Sequence, residues 1–599
     1  MGEKATQLRK DIDKVMHLLR KDNQSAWVLL STALSHQLDY SLTLQYPSDM
    51  LEVAAELDAR LWAGLEQVAG QLRIPRREEG LGVECVVDLP EVPELQGRSY
   101  QCWMAAQPVK LGGCGLRSLT ETRYPAFLGG LEMSLPFMVD GEHGEQPICP
   151  QLGPVVGSMA GQQRWANFLE AGSRTAQEFG QAWNSVSREA RNMWTFLGEE
   201  PNGPLAAELE EVGGNSVNGS TRCLIVQQSE GLRHKVLTKA LASHHDREAR
   251  PVTAFPNIAD DKVAGRFLLA TPSSDLSMSA TVFKEAISAH LCLASPALRE
   301  GGWVGKVVGK EGKIIDKFGD SIMCCKEIPG DSWRKRHDLV KQHVVAEAAL
   351  SGVSIDCEVY GLFSDLLPAA LSEEGGELQW GRARQGKVPD FKLLLASPEG
   401  PTPRLAELKV ISAGKTWYPR GVAGKGTARR AGRLNGEYEA TLRKYDVRFH
   451  GARPQEEDQP EPPPGPLVTR LRGYGGLCKG ALVAGPWGDL SPHFHLLLKH
   501  FATSRVEAQS RAQGWEAGPG FLGKVTGEVR RAASVVVVRS QALCLLERLA
   551  HLGPGARAAA QRRAATLGLE ERRRRERQAY DMAHDRLGLS RVGRAFIPA

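Results

Sequence analysis

The chain has 599 residues, of which 42% are hydrophobic and 24% are charged, and its formal net charge is +5. This length is too great for one hydrophobic core, so three or four domains are expected, and the composition excludes wholesale disorder. The mild positive charge permits nucleic-acid binding without requiring it. The eleven cysteines include no Cys-x-x-Cys pair, which favours a reducing compartment over a disulfide framework.

The chain begins with a charged segment, MGEKATQLRKDIDK, and contains no apolar run long enough to span a bilayer. This pattern is typical of neither a secreted nor a membrane protein. We therefore expect an intracellular protein, nuclear or cytoplasmic, that is not secreted and has no membrane partner.

Residues 1 to about 80 have apolar side chains at helical spacing, which predicts amphipathic helices. Short strands and turns are expected after Gly80, and the glycines of LGGCGLRSL (111–119) predict a tight turn that leads into a helix. Residues 150–250 are predicted to be polar helices, with a hinge at the loop GGNSVNGS. The doublet Asp260-Asp261 lacks the aromatic residue of a polymerase metal site, so it is interpreted as a cap at the start of a helix.

A glycine loop lies between 309 and 312, with the sequence Gly-Lys-Glu-Gly, and is followed by Ile314, Ile315 and Phe318. The apolar spacing behind it fits a helix. This arrangement resembles the GxxG loop of a KH domain, whose glycines let an RNA backbone approach closely. The alternative is a plain glycine turn.

The order of predicted elements becomes informative from residue 337. A helix over 337–350, closed by Gly352, precedes a strand, VSIDCEVY, whose alternate residues from Val353 to Val359 are expected to face inward. Residues 388–412 predict two strands joined by a Pro/Gly turn. A helix with an apolar stripe, a strand at 480–487 and a helix from Ser491 follow. The predicted order is α-β-β-β-α-β.

The second strand of this hairpin carries chemistry on one face. Because side chains alternate along a strand, Glu407 and Lys409 point away from Ala406, Leu408 and Val410. Asp390 begins the preceding strand, where its carboxylate can meet Glu407 across the hairpin, and Glu358 can supply a third carboxylate.

Converging carboxylates suit Mg²⁺, or Mn²⁺, and a nearby ammonium can orient a water or stabilise charge on a phosphate. The predicted catalytic residues are Asp390, Glu407, Lys409 and Glu358, and the predicted metal ligands are Glu358, Asp390 and Glu407. The alternative is ordinary turn chemistry at Pro389-Asp390 and a solvated strand face at Glu407-Leu408-Lys409.

Basic and aromatic residues surround this motif and are predicted to contact nucleic acid through phosphates and unpaired bases. They are Lys387, Lys415, Trp417, Tyr418, Arg429, Arg430, Arg433 and Lys444. The alternatives are a solvated basic helix face and aromatic side chains that cap a core. Residues 451–467 are an acidic, Pro-rich segment expected to be mobile. Two long helices are predicted over 532–586, and the second carries the arginine-rich run EERRRRERQAY.

Two stretches resemble parts of known families. Pro389-Asp390 and Glu407-Leu408-Lys409 resemble the PD-(D/E)xK motif of restriction-like nucleases. The segments YPSDMLEVAAELDARLW, LGGCGLRSL and AFLGG resemble the start of the helical thumb in reverse transcriptases of non-LTR retroelements. Together they resemble the C-terminal portion of such a protein, with the palm absent. Residues 319–337 resemble a degenerate zinc knuckle, in which adjacent Cys324 and Cys325 are poor ligands, so no zinc is expected.

The expected fold is multidomain α+β, with a helical thumb-like N-terminal region, a restriction-endonuclease-like αβββαβ core and a helical C-terminal tail. The expected division is 1–140 thumb-like, 141–250 connector, 251–335 linker, 336–515 nuclease-like and 516–599 basic tail. The resemblance implies an endonuclease that cleaves DNA phosphodiester bonds, with DNA and possibly RNA as partners and no polymerase activity. The alternatives are a non-catalytic nucleic-acid-binding protein and an inactive retroelement remnant.

Overall fold

A computed structural model describes most of the chain. The described residues are 2–19, 21–70, 86–87, 98–140, 174–185, 250–259, 261–308, 312–358, 360–367, 389–395, 400, 402–414, 417–418, 425–451, 463–474, 481–514 and 518–552, with single positions between 231 and 241.

The N-terminal part is helical, as the sequence predicts. Its helices are α1 (Gly2–Leu18), α2 (Asn23–Val28), α3 (Asp39–Leu44), α4 (Pro47–Val68), α5 (Tyr100–Ala106), α6 (Leu119–Asp140) and α7 (Arg174–Ser185). Helix α2 continues through a π turn (Leu29–Ala33) and a 3₁₀ turn (Leu34–His36). Two short strands, β1 (Val86–Val87) and β2 (Arg98–Ser99), pair antiparallel.

These helices form because apolar residues recur every three or four positions and bury one face. In α4, Leu57, Leu61 and Leu65 lie in a core that also contains residues near 290 and, from the C-terminal half of the chain, Val483 and Val535. The predicted glycine turn is present before α6, and there Gly112 has a φ of +84°. A side chain at Gly113 would collide with the backbone carbonyl of Gln107, so this glycine permits a close chain crossing.

The middle of the chain is built from short elements. They are α8 (Arg250–Ala259), a 3₁₀ turn (Arg266–Leu269), α9 (Ala280–His290), α10 (Pro296–Glu300), β3 (Val307–Val308), β4 (Lys313–Ile314) and α11 (Asp320–Cys324). Strands β3 and β4, which lie before and after the glycine segment 309–312, are antiparallel partners, so the helix predicted directly behind this segment is wrong. Of the segment itself, only Gly312 is among the described residues. Burial alternates along this segment, as it does in a strand: Ile314 is exposed, whereas the next residue, Ile315, is buried together with Val308.

A four-stranded mixed sheet is formed by strands between residues 354 and 484. Its strands are β5 (Ser354–Cys357), β6 (Phe391–Leu395), β7 (Thr402–Val410) and β8 (Ala481–Ala484), which lie in that order. The first three are antiparallel neighbours, and β8 runs parallel to β7. A long connection must therefore separate β7 from β8.

Helices cover both faces of the sheet. They are α12 (Ser332–Leu350), α13 (Gly426–His450), α14 (Pro466–Gly473), α15 (Pro492–Gln513) and α16 (Pro519–Ala550), and a 3₁₀ segment (Tyr360–Leu366) follows β5. On one face, α12, α15 and α16 pack on Phe391, Ala406 and Leu408. On the other, α13 and α14 pack on Leu405. Among the helices in the described ranges, none is long and apolar enough to cross a bilayer.

The fold is thus mixed α+β, and from α12 to β8 the elements follow the predicted order α-β-β-β-α-β except that an unpredicted second helix, α14, lies between α13 and β8. Strand β5 is shorter than predicted, and its residue Cys357 is exposed rather than inward. Helix α16, inside the segment expected as a tail, buries a run of valines between the sheet and the N-terminal core. The arginine-rich run lies outside the described residues, as does 452–462 of the expected mobile segment.

Candidate active site

The hairpin register places three predicted acids in one row across the sheet. Phe391 pairs with Ala406 at the end of the β6–β7 ladder; Asp390 directly precedes Phe391, and Glu407 directly follows Ala406. Likewise Cys357 pairs with Phe391, and the Glu358 amide donates to the Asp390 carbonyl at 3.0 Å. Side chains of directly opposed residues on antiparallel strands lie on the same face. The backbone therefore brings the three predicted acids onto neighbouring strands: Glu358 just follows β5, Asp390 just precedes β6 and Glu407 lies within β7.

Asp390 is held by three groups at the start of β6. Its Oδ2 accepts a hydrogen bond from the Leu408 amide at 2.9 Å and lies 3.5 Å from Nε2 of His337. Its Oδ1 lies 3.7 Å from Nζ of Lys341. Burial alone would raise the pKa of Asp390, but His337 and the nearby Lys409 ammonium lower it below its ordinary value. Asp390 is therefore an ionised, oriented carboxylate.

Glu407 and Lys409 share a face of β7, as predicted, and the Lys409 ammonium donates to Glu407 Oε1 at 2.6 Å. That face is not solvated, because α13 covers it and leaves Glu407 only 7% exposed. Tyr438 of α13 is buried in the cluster that covers this face. Burial and the charges of Glu407 and Asp390 raise the pKa of its hydroxyl. The alternative of a solvated strand face is therefore wrong for Glu407.

Glu358 departs from the predicted three-acid site. It lies just past the end of β5 with a φ of +51°, a left-handed conformation that strains a residue with a side chain. Its side chain is 55% exposed, and its Oε1 accepts from Lys341 at 3.0 Å. Lys341 therefore bridges Glu358 and Asp390. Among the residues that the structure describes, no group of three His, Cys, Asp or Glu side chains is arranged to hold a metal ion.

The donor set of Asp390 and Glu407 nevertheless fits Mg²⁺ or Mn²⁺. Both ions prefer hard oxygen ligands, and Mg²⁺ is commonly held by one or two protein carboxylates, with the remaining positions filled by water and phosphate oxygens. The lowered pKa of Asp390 keeps its oxygens available for a cation at neutral pH. The third ligand, Glu358, remains a prediction.

Sequence reasoning missed two residues of this site, His337 and Lys341. Both lie on α12, one turn apart, and both reach the carboxylate of Asp390. Their i, i+4 spacing on a helix that precedes the first strand was the available signal. Burial alone would lower the pKa of each group, but acidic partners raise both values: Asp390 for His337, and Glu358 with Asp390 for Lys341.

The predicted nucleic-acid residues fall into three groups. Lys387 and Lys415 lie outside the described residues. Trp417 forms a basic cluster with α13, because the guanidinium groups of Arg430 and Arg433 lie 4.5 and 5.6 Å from its ring centroid. In this cluster, Arg429 donates to the Trp417 carbonyl at 2.7 Å.

The remaining two differ in exposure. Lys444 is exposed on α13. Tyr418 is 5% exposed, packs edge-on against Trp487 and donates to Asp489 at 2.9 Å. Tyr418 is thus a core residue, and its ring cannot stack on a base in this fold, so that prediction is wrong. Of the two predicted aromatic residues, Trp417 is the one that is partly exposed.

The prediction of a helix-start cap is wrong for Asp261, which follows the end of α8 and binds the backbone of a turn. Its Oδ1 accepts hydrogen bonds from the backbone amides of Val263 and Ala264 in the turn after α8. Its Oδ2 accepts a hydrogen bond from the Leu490 amide at 2.9 Å. The ring of His495 lies 2.9 Å from the same oxygen. Asp261 therefore connects the N-terminal core to the turn after β8 and to α15.

The segment that resembles a zinc knuckle is built into the core. Cys325 is buried beside Leu545 of α16, whereas Cys324 is exposed. Arg336 is buried and donates to the Val410 carbonyl and to Ser412 at the end of β7. This segment therefore positions α12 against the motif strand.

Comparison of the chain with protein-family models gives no match, and comparison with curated proteins gives none.

Proposed function

We propose that the chain is a divalent-metal-dependent endonuclease with a restriction-like core, and that it hydrolyses phosphodiester bonds of DNA. The observation that carries this proposal is the position of Asp390 beside Glu407 at the end of the β6–β7 ladder, with Lys409 bound to Glu407, inside an αβββααβ order of elements. A chance Pro-Asp turn would not bring the partner acid, the lysine and the neighbouring elements with it.

Each residue has a distinct role in this reaction. Asp390 and Glu407 would hold the ion, and His337 and the Leu408 amide orient Asp390. When bound, the divalent ion supplies Lewis-acid charge that polarises the phosphate and makes water more acidic. The Lys409 ammonium, 37% exposed at the rim, can orient the attacking water and stabilise negative charge on the phosphate. The basic cluster of Trp417, Arg430 and Arg433 would hold the DNA strand.

A plasmid-nicking assay with Mg²⁺ or Mn²⁺ tests this function. The variants Asp390→Asn, Glu407→Gln and Lys409→Met should each lower the nicking rate by about a hundredfold or more, because each removes charge that acts on the scissile phosphate. Asp356→Asn is the matched control, since this acid also lies on the sheet but pairs with Lys392 in an exposed ion pair. Nicking that survives all three substitutions would exclude this site.

A second candidate is a nucleic-acid-binding protein whose motif is no longer catalytic. Lys341 favours it, because one partly buried ammonium lies within 4 Å of both Glu358 and Asp390 and already compensates their charge. The parent chain would then bind DNA without nicking it. Arg433→Gln would weaken binding and reduce the slope of the logarithm of the binding constant against the logarithm of the salt concentration by about one.

We also propose that the chain derives from a non-LTR retroelement protein. The helical region that resembles a thumb and the PD-(D/E)xK-like motif support this origin, and they occur in the order expected for the C-terminal portion of such a protein. In that setting a nick would supply the primer for reverse transcription carried out by a palm-bearing domain.

A further inference from the structure

The ammonium of Lys341 lies between two carboxylates at the edge of the candidate active site. Its Nζ is 3.0 Å from Oε1 of Glu358 and 3.7 Å from Oδ1 of Asp390, and its side chain is only 12% exposed. Nζ also lies over the ring of Phe391, 5.9 Å from the ring centroid. The face of an aromatic ring attracts a cation at this distance. Two acids and a ring therefore hold one positive charge in a fixed place.

The side chain of Glu358 is directed to this lysine. The Glu358 amide donates to the Asp390 carbonyl at 3.0 Å, so the two backbones are neighbours. The Glu358 carboxylate nevertheless accepts from Lys341 and is 55% exposed, whereas the Glu407 side chain is 9% exposed. Glu358 is thus connected to Asp390 through the ammonium of Lys341.

A divalent ion and Lys341 require the same oxygen of Asp390. Oδ2 accepts from the Leu408 amide, which leaves Oδ1, the oxygen that faces Lys341, as the better donor for an ion. The ammonium already compensates part of the negative charge on Oδ1, and it repels any cation that binds there. An ion at Asp390 is therefore bound less tightly while Lys341 stays in place.

We propose that Lys341 is an internal counter-ion of the metal site, whose ammonium competes with the divalent ion for Asp390 and keeps Glu358 out of the ligand set. This role rests on the divalent-ion site of the proposed function, and it determines how tightly that site binds its ion. With Lys341 in place, Asp390 and Glu407 are the protein ligands and the affinity is low. Glu358 becomes the third carboxylate ligand only when the lysine is removed.

Titration of the full chain with Mn²⁺, without DNA, tests this role. Electron paramagnetic resonance measures the free ion, because protein-bound Mn²⁺ loses most of its signal. Lys341→Met should bind Mn²⁺ about tenfold more tightly than the parent chain, because it removes the competing charge. Lys341→Arg keeps that charge and should bind as the parent does. Asp390→Asn should abolish this binding in both the parent and the Lys341→Met background.

Glu358 provides a double-mutant cycle with Lys341. In the parent, Glu358→Gln should change the Mn²⁺ dissociation constant by less than about threefold, since its carboxylate is engaged by Lys341. In the Lys341→Met background the same substitution should weaken binding by about tenfold, because Glu358 is then a ligand. The difference between the two backgrounds measures how far Lys341 withholds Glu358 from the ion.

The matched control is Lys392→Met, which removes a lysine that pairs with Asp356 at 3.7 Å on the same sheet. It should leave the affinity for Mn²⁺ unchanged. Thermal unfolding gives a second measurement, because a bound ion stabilises the folded chain. Mn²⁺ should raise the Tm of Lys341→Met more than that of the parent, and circular dichroism of each variant checks that the fold is retained.

Two outcomes would overturn the role of Lys341. Lys341→Met could bind Mn²⁺ no more tightly than the parent does, or Glu358→Gln could weaken binding tenfold in the parent itself, which would make Glu358 a ligand with the lysine in place. Tighter binding by Lys341→Met, with no nicking of plasmid by the parent, would contradict the proposed cleavage and leave this role intact. Nicking by the parent with equal Mn²⁺ affinities would do the reverse.

Discussion

Two aspartates that lie next to strands of the same sheet have pKa values shifted in opposite directions. Asp390, before β6, lies near the cations His337, Lys341 and Lys409, and its pKa is lowered. Asp489, after β8, is fully buried, and burial together with the charge of Asp261 raises its pKa to about 7. The same residue type is thus an ionised candidate ligand at one place and a proton-holding core residue at the other.

The two pKa values differ because different groups surround each carboxylate. Asp489 accepts hydrogen bonds from Tyr418 and from the Trp487 amide, and these hold the turn that closes β8. Asp261, next to Asp489, is the ionised acid of the pair. Burial alone would raise the pKa of Asp261, but the hydrogen bond and charge of His495 lower it below its ordinary value. Like charges that share a buried site cannot both be ionised at low cost, so one acid of this pair keeps its proton.

The largest effect is expected at Asp261, where a buried charge joins separate parts of the chain. Asp261→Ala should lower the free energy of unfolding by roughly 3–5 kcal/mol, because it leaves the Leu490 amide and His495 without their acceptor. Urea unfolding measures this loss. Asp356→Ala, at an exposed ion pair, should change the stability by no more than about 0.5 kcal/mol. Equal losses in the two variants would show that the Asp261 cluster does not join the parts.

The second prediction concerns the pH dependence of stability. The pKa of Asp489 in the folded protein lies above its unfolded value near 4, so the folded state binds an extra proton between these values. The free energy of unfolding should therefore fall as the pH rises from about 4 to about 7, on the order of a few kcal/mol.

Asp489→Asn should remove that fall, because the amide can still accept from Tyr418 and cannot ionise. Urea unfolding at pH 5 and pH 7.5 gives the comparison with the parent. If the variant and the parent lose stability equally between these two pH values, Asp489 does not hold a proton in the folded state.

The smallest effect is expected at His337. Its pKa is raised and that of Asp390 is lowered, so their attraction is fully present between about pH 4 and pH 6.5. It is lost as the pH falls through the lowered pKa of Asp390 or rises through the raised pKa of His337.

His337→Gln should accordingly cost about 1 kcal/mol at pH 5.5 and less at pH 9, as measured by thermal unfolding. His36→Gln is the control, because this histidine pairs with Asp39 in a more exposed setting away from the sheet. A cost that does not change with pH would mean that His337 acts through packing alone.

Much of the sheet region could be predicted from local pattern. Alternation in β7, the glycine at 352 that ends α12 and the start of a helix near Ser491 are properties of neighbouring residues, and the structure confirms these elements. The glycine loop at 309–312 was less predictable, because Ile314 and Ile315 fit a short strand as well as a helix. Burial of Ile315 against α16, far along the chain, selects the strand.

The amino-acid sequence by itself determined the α+β element order and the placement of Glu407 and Lys409 on one face of a strand, because both follow from periodicity. Only the tertiary structure decided which groups surround these residues: His337 and Lys341 from α12, Tyr438 from α13 and the distant Asp261 beside Asp489. Charge and burial act through space, so residues hundreds of positions apart set whether a given carboxylate is ionised.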